Sequence, residues 1–212
     1  LSAIAGVGID NLYVDLDGPE VPIMDGSASP FVFLLQSGGI LQQQVPKKVI
    51  RVTETVTVTD ESGVFCRLHP YDGRKVDFSI HFDHPAFSNT VQKASIDLER
   101  ESYFIDVSRA RTFGFIHQLE MLKKQNLALG ASLNNAIGLD NDSILNPEGL
   151  RYNNEFAMHK ILDAIGDLHL LGSMIVGRFE GYCSGHRMNK LLLDKLVATK
   201  CYEVVDAVPA QA

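Results

Sequence analysis

A histidine and two aspartates recur at intervals of four residues in the segment HKILDAIGD, residues 159–167. At about 100° per residue, helix positions four apart differ in direction by only about 40°, so His159 and Asp163 face the same side. An imidazole nitrogen and a carboxylate oxygen suit zinc, which in a catalytic site takes three protein ligands and a water. Asp167 lies one turn farther along. It is better placed to accept a hydrogen bond from a group of the site than to bind the metal as a third ligand. The spacing predicts either a metal-binding pair or an ordinary surface ion pair.

A second histidine of interest follows small residues in SGHRMN, residues 184–189, where a predicted strand gives way to a helix. Helix N-termini favour negative charge and are frequent places for ligand-binding groups. Histidine titrates near neutral pH and can donate a proton to a leaving group. His186 is therefore a candidate proton donor, and the alternative is an ordinary histidine at a helix start.

The elements that must position these residues are predicted in an order that occurs twice. The first set is the end of a helix at residues 1–8, a strand at residues 9–19 and a helix at residues 25–40. Asp25 or Ser27 is the predicted N-cap of that second helix. The same order, helix, strand and helix, is predicted at residues 153–172, 173–185 and 186–200. Between the two sets, an antiparallel meander of three β-branched or aromatic strands is predicted at residues 48–60, 64–73 and 75–85.

This recurrence predicts an α+β protein made of two similar domains that pack together, each a sheet with helices. Residues 1–45 are then the C-terminal remnant of the first domain, and residues 46–212 form the second domain. The chain starts within a helix and without Met, so we expect the first domain to be incomplete. The similarity between the two sets is limited, and chance is the alternative explanation.

Composition restricts the classes of partner. With 45% hydrophobic residues in 212, the chain can bury a large core. A net charge of -7 with scattered Lys and Arg argues against binding to nucleic acid. The three cysteines form no C-x-x-C pair, which fits a reducing compartment and predicts a cytoplasmic protein. No apolar run approaches the roughly 20 residues of a membrane span, so no stable membrane insertion is expected.

Four long motifs carry a resemblance to a known family. They are GIDNLYVDLDGPEVPIMDGSASPFVFLLQSGGI, VSRARTFGF, LNPEGLRYNNEFAMHKILDAIGDL and SGHRMNKLLL. In this order they resemble the UDP-3-O-acyl-N-acetylglucosamine deacetylases, zinc amidohydrolases of lipid A synthesis, over nearly the whole of residues 1–205. The resemblance implies a fold of two similar α+β domains and a zinc cofactor. It also implies a monomer that hydrolyses the N-acetyl group of a UDP-linked acylated amino sugar and releases acetate, the committed step of lipid A biosynthesis.

The resemblance also implies a role for each residue of the late helix and its neighbour. His159 and Asp163 match the two zinc ligands of this helix, and Lys160 matches a lysine within reach of the substrate. Asp167 matches the carboxylate that orients the catalytic histidine. His186 matches that histidine, which stabilises developing charge and protonates the departing amine.

One departure from the family pattern concerns the first domain. The family carries a Glu-His pair there, with the glutamate as general base and the histidine as third zinc ligand, and the pair would precede Leu1. The 212 residues are therefore expected to be inactive alone. Thr112 matches a threonine that holds the oxyanion of the tetrahedral intermediate. Its alternative is a residue at a helix C-terminus whose hydroxyl binds backbone.

The segment at about residues 113–152 is predicted to form an insert, with a short helix followed by an apolar strand around Ile137. The resemblance implies a small βαβ-like unit that forms a passage for the acyl chain of the substrate. The candidate passage residues are apolar or small: Ile116, Leu119, Ala128, Ala136 and Gly138. Ordinary packing beneath a helix is the alternative for these residues. Phe82 resembles an aromatic residue at the nucleotide end of the substrate site.

Two functions from different classes remain open. The first is a zinc-dependent deacetylase acting on the UDP-linked sugar. The second is a non-catalytic homologue that binds the sugar nucleotide, or a regulatory protein, without turnover. The joint presence of a candidate ligand pair and a candidate leaving-group acid favours the first, since a binding module has no need for His186 as a proton donor.

Overall fold

A computed structural model describes residues 1–207 of the chain. This part contains helices and mixed sheets, which confirms the predicted α+β class. The helices are α1 (Ser2–Val7), α2 (Ser29–Gly38), α3 (Ile116–Lys124), α4 (Glu155–Leu168) and α5 (His186–Thr199). The strands are β1 (Lys48–Val52), β2 (Val56–Thr59), β3 (Phe65–His69), β4 (Arg74–Ser79), β5 (Lys93–Asp97), β6 (Phe113–Phe115), β7 (Ile137–Leu139), β8 (Met174–Tyr182) and β9 (Tyr202–Asp206).

The main sheet is built around β8. Its first residues pair in parallel with β1, which pairs antiparallel with β9. Its later residues pair antiparallel with β3 and parallel with β4, and β2 and β5 extend the sheet beyond those two strands. The predicted antiparallel meander is correct for the pair β2 and β3 but wrong beyond it, because β8 separates β3 from β4. The strand predicted at residues 48–60 is divided into β1 and β2. Phe179 of β8 is buried, and a strand bonded along both edges takes the centre of a sheet even when it comes late in the chain.

Two details near the N-terminus also differ from the predictions. Residues 9–19 form no strand, and Tyr13 is 99% exposed, because no neighbouring strand bonds to this segment within the described residues. The N-cap of α2 is Ala28 rather than Asp25 or Ser27. The Asp25 carboxylate instead accepts hydrogen bonds from the Ser27 amide and from the Arg151 guanidinium.

The core lies between the sheet and the two long helices. Helix α4 contacts β4, β5 and α5, and α5 contacts β2 and β3. Helix α1 crosses α4 so closely that a Cβ added at Gly166 would lie 3.1 Å from the backbone nitrogen of Ser2. The largest buried side chains include Phe78, Phe156, Phe179, Leu192 and Leu196. On α4, the side chains of Lys160, Asp163 and Asp167 are only partly buried.

The predicted insert forms a small βαβ unit in which β6 and β7 pair in parallel and α3 connects them. None of the residues of α3 is buried. The division of the chain at residues 45 and 46 stays a prediction. Among residues 1–207, no helix is both long and apolar enough to cross a bilayer.

Candidate active site

A cavity of about 500 Å³ opens where β4 and β8 end and α5 begins. Parallel strands bring their carboxyl ends to one edge of a sheet, and ligands commonly bind outside that edge. Six of the residues predicted for the site lie on the cavity wall: Phe82, Thr112, His159, Lys160, Asp163 and His186. The wall also contains five residues without a predicted role, which are Ile80, His81, Phe113, Cys183 and Ser184.

The geometry of His159 fixes the position of its proton. Its Nδ1 lies 3.0 Å from the carbonyl oxygen of Ala110. Because a carbonyl oxygen can only accept, Nδ1 carries a proton in both the neutral and the charged ring, and Nε2 presents a lone pair when the ring is neutral. That Nε2 lies 3.3 Å from Oδ1 of Asp163. When the ring is neutral, Nε2 and Oδ1 are two acceptors that face each other at a distance suited to a shared cation.

Asp163 is prepared to act as an anion. Its Oδ2 accepts a hydrogen bond of 2.8 Å from Nζ of Lys160. Burial by itself raises the pKa of the Asp163 carboxyl. The charges of His159 and Lys160, together with the Lys160 hydrogen bond, outweigh burial and bring the pKa below its ordinary value. The side chain therefore stays ionised in a largely buried position, which suits a metal ligand.

A second ionisable group faces the same cavity from the start of α5. Nδ1 of His186 lies 2.8 Å from Oδ2 of Asp167, so it donates to the carboxylate and leaves Nε2 free. The hydrogen bond to Asp167 raises the pKa of His186 above its ordinary value, against a lowering by burial, and the Asp163 charge adds to the rise. A histidine held in this way can act as a proton donor near neutral pH.

The cavity contains two side chains that could bind a zinc ion, His159 and Asp163. One imidazole nitrogen and one carboxylate oxygen are both ligands that zinc accepts. Among residues 1–207, no group of three or more His, Cys, Asp or Glu side chains comes together in a geometry that could hold a metal ion. His159 and Asp163 could therefore supply two of the three protein ligands that a catalytic zinc site normally has.

Comparison with known proteins assigns the chain to a family. Residues 1–198 match the family model described as "LpxC: UDP-3-O-acyl N-acetylglycosamine deacetylase". The chain belongs to this deacetylase family. The family predicted from the four sequence motifs is thereby confirmed.

Several curated relatives carry the name UDP-3-O-acyl-N-acetylglucosamine deacetylase. The relative from Thioalkalivibrio sulfidiphilus is 58% identical over 198 residues, covering 93% of this chain and 65% of the relative. The relative from Nitrosococcus oceani is 56% identical, covering 97% of this chain and 67% of the relative. The relative from Coxiella burnetii is 55% identical, covering 97% and 68%. This chain of the deacetylase family thus spans about two thirds of the length of these relatives.

The alternative interpretation of Thr112, as a residue at the C-terminus of a helix, does not agree with the structure. The residue lies directly before β6 and not at the end of a helix. Its amide donates to the carbonyl of Gly26, and its carbonyl accepts from the amide of Ile137, both at 2.8 Å. These bonds hold the Thr112 backbone at the cavity wall. Its role toward an oxyanion stays a prediction.

The five candidate passage residues lie away from this wall. Within the described part of the chain, none of them lines the 500 Å³ cavity. Ala128 is exposed, whereas Gly138 is buried so closely under Leu133 that a Cβ would lie 2.6 Å from its Cδ2. Ile116, Leu119 and Ala136 are partly buried. The acyl passage therefore stays a prediction of the family resemblance.

Phe82 lies on the cavity wall with its ring stacked on Phe87 at a centroid distance of 4.6 Å. The stacking fixes one face of the ring against the core. A role for this residue at the nucleotide end of a substrate stays a prediction.

Sequence reasoning missed the groups that support the site. The Asn189 side-chain amide donates a hydrogen bond of 2.9 Å to Oδ2 of Asp167. It thereby holds the carboxylate to which His186 also donates. A signal for it existed, since residues three apart on a helix are neighbours and Asn189 follows His186 by three. Ala110, Arg111 and Glu155 were also missed. Ala110 and Arg111 are far from Glu155 in the sequence, so no local spacing of residues could have predicted that they meet.

Proposed function

We propose that the protein containing this chain is a zinc-dependent deacetylase that hydrolyses the N-acetyl group of UDP-3-O-acyl-N-acetylglucosamine, releasing acetate in the committed step of lipid A biosynthesis. The observation that carries the proposal is the pair His159 and Asp163, whose Nε2 and Oδ1 face each other at 3.3 Å on the cavity wall. Membership of the deacetylase family and the names of the relatives support this substrate class.

His159 and Asp163 would hold the zinc ion. When bound, zinc supplies a Lewis acid that polarises the acetyl carbonyl and favours deprotonation of water. Since a catalytic zinc takes three protein ligands, the general base and the third ligand are proposed to come from a Glu-His pair outside these 212 residues. The 212 residues alone are accordingly proposed to be inactive.

The other side chains of the cavity act on the substrate and on the ligands. Lys160 holds Oδ2 of Asp163 and leaves Oδ1 on the side of His159. Thr112 lies on the cavity wall, and its hydroxyl is proposed to donate to the oxyanion that forms at the acetyl carbon. His186 carries a proton toward the departing amine at Nε2, because Asp167 occupies its Nδ1.

The test compares the full-length protein with His159→Ala and His186→Ala by metal analysis and by a deacetylation assay. The first variant is expected to lose zinc and activity together. The second is expected to keep zinc and to turn over about 10²- to 10⁴-fold more slowly, the range for loss of a general acid. His117→Ala, an exposed histidine on the insert, is the matched control and is expected to keep both.

Retained zinc and full activity in His159→Ala would contradict the proposal. If the parent binds the UDP-linked sugar but never releases acetate, the protein is instead the non-catalytic homologue. A cytoplasmic location is also proposed, supported by Cys66, Cys183 and Cys201, which are all free thiols. Recovery of the active protein from a non-cytoplasmic fraction alone would contradict that location.

A further inference from the structure

Helix α4 holds a single peptide group from both of its sides. The carbonyl of Ala110 accepts a hydrogen bond of 3.0 Å from Nδ1 of His159. The amide of Arg111, which belongs to the same peptide bond, donates to Oε1 of Glu155 at 3.1 Å. Glu155 and His159 are four residues apart and therefore face the same side of the helix. One turn of α4 thus binds both ends of this peptide dipole.

All members of this arrangement are buried. The exposed fraction is 0% for Glu155, 4% for Arg111 and 7% for His159. Water does not compete strongly for such bonds, and hydrogen bonds in series polarise one another in an environment of low dielectric constant. A negative charge at the amide end of the peptide makes its carbonyl oxygen a better acceptor. The effect reaches Nδ1 of His159.

We propose that Glu155 is a positioning residue for the candidate metal ligand His159, acting through the Ala110–Arg111 peptide group. Its carboxylate polarises the peptide group. The peptide group keeps the His159 proton on Nδ1 and makes the Nε2 lone pair a stronger ligand for a metal ion. Histidine ligands are generally supported by a carboxylate or a carbonyl at the other ring nitrogen, and here both act in sequence. The inference rests on the proposed function only in taking His159 as a metal ligand.

A purely structural role for Glu155 rests on its ion pair with the Arg111 guanidinium, whose Nε shares Oε1 of Glu155 with the Arg111 amide. A variant that weakens the other contacts of the guanidinium separates this role from the proposed one. The Arg111 guanidinium donates to Glu155 at 2.9 Å, to Glu148 at 2.7 Å and to the carbonyl of Gly149 at 2.7 Å. These bonds clamp the two ends of the insert to α4. Glu148→Gln weakens the clamp without touching the peptide group, so it is the matched control for Glu155→Gln.

The experiment measures two properties of the full-length protein and its variants. The first is the imidazole ¹⁵N spectrum of His159 in the neutral, metal-free state, which reports the tautomer. The second is zinc affinity by competition with a chelator. We expect a pure Nδ1–H tautomer in the parent and in Glu148→Gln. In Glu155→Gln we expect a mixture of tautomers and a loss of zinc affinity of about tenfold or more, as for other groups that support a ligand.

An unchanged tautomer together with unchanged zinc affinity in Glu155→Gln overturns the proposal. If Glu155→Gln does not fold, as judged by circular dichroism, the double variant Arg111→Gln/Glu155→Gln replaces it, since it removes both buried charges together. The same loss of affinity is then expected, and parental affinity overturns the proposal. A parent that binds no zinc overturns the proposed function instead, while the His159 tautomers in the same samples still decide the role of Glu155.

Discussion

The α4–α5 region and the insert are both rich in apolar residues, yet the structure treats them in opposite ways. Eleven of the fourteen residues of α4 are buried, and its residues Glu155, His159 and Asp167 are hydrogen-bonded to other parts of the chain. The insert helix α3 buries none of its residues, and Leu129 in the loop that follows is 66% exposed. The difference arises because α4 lies on β4 and β5, whereas α3 contacts mainly the short strand β6.

This difference matches the demands of the two regions. Ligands and proton donors must be held to within a fraction of an ångström, which favours side chains on packed helices with hydrogen-bonded partners. A segment with few buried contacts opens locally at low cost in free energy. Helix α3 and the loop after it are therefore the part of the insert that deforms most easily, whereas the α4–α5 pair is a rigid support for His159, Asp163 and His186.

The most sensitive test of the comparison removes one large apolar side chain from each region. Phe156 is 1% exposed and contacts the rings of Phe87 and Phe113. Phe156→Ala is expected to lower the free energy of unfolding by about 3–5 kcal/mol, through lost burial and a cavity. Leu129→Ala is expected to change it by no more than about 0.5 kcal/mol, as for exposed sites. Chemical denaturation measures both, and similar losses would show that the insert is packed as tightly as α4.

A substitution at the junction between the insert and the rest of the fold is expected to lower stability less than Phe156→Ala does. Gly26 has a φ of +82°, and a Cβ added there would lie 2.1 Å from the carbonyl oxygen of Asn135. Gly26→Ala is expected to cost about 1–3 kcal/mol of stability, because an L side chain is strained at positive φ and the insert backbone must also shift. Gly130→Ala is the control, since nothing lies within 4 Å of an added Cβ. Thermal denaturation compares the two, and equal midpoints would contradict the close contact.

Within the α4–α5 region, Asn189 is buried and donates to Asp167, while its neighbour Lys190 is exposed. Asn189→Ala is expected to cost about 1–2 kcal/mol, because it removes the hydrogen bond donated to Asp167 and the one accepted from Ser184, each worth about 1 kcal/mol net. Lys190→Ala is expected to change stability by less than about 0.5 kcal/mol. A denaturation midpoint for Asn189→Ala equal to that of Lys190→Ala would argue against the supporting role of Asn189.

Local patterns were sufficient to predict the elements that carry the site. The period of apolar residues predicts α4, and the small residues before His186 predict the start of α5; both agree with the structure. The same reasoning places His159 and Asp163 on one side of α4, where they are found. These features depend on contacts within one element, so a single stretch of sequence contains the information.

Features that depend on distant contacts could not be predicted in this way. The central place of β8 depends on which strands bond to its two edges, and no local pattern specifies that choice. Residues 9–19 have the composition of a strand but lack a bonded neighbour among the described residues. Glu155 and Arg111 are 44 positions apart, so their pairing becomes visible only when the insert and α4 are placed together.

The smallest expected effect concerns the pH dependence of the α4–α5 region. The pKa of His186 is raised above its ordinary value, chiefly by its hydrogen bond to Asp167. A group that binds protons more tightly in the folded state stabilises fully below its unfolded pKa, and this contribution is lost as pH rises through the folded pKa. The stability difference between the parent and Asp167→Asn should therefore be larger at pH 6 than at pH 8.5, by a modest amount because the His186 side chain is 70% exposed. An NMR titration of His186 should show a lower pKa in Asp167→Asn, and equal pKa values in the two proteins would show that the two helices are not coupled through this bond.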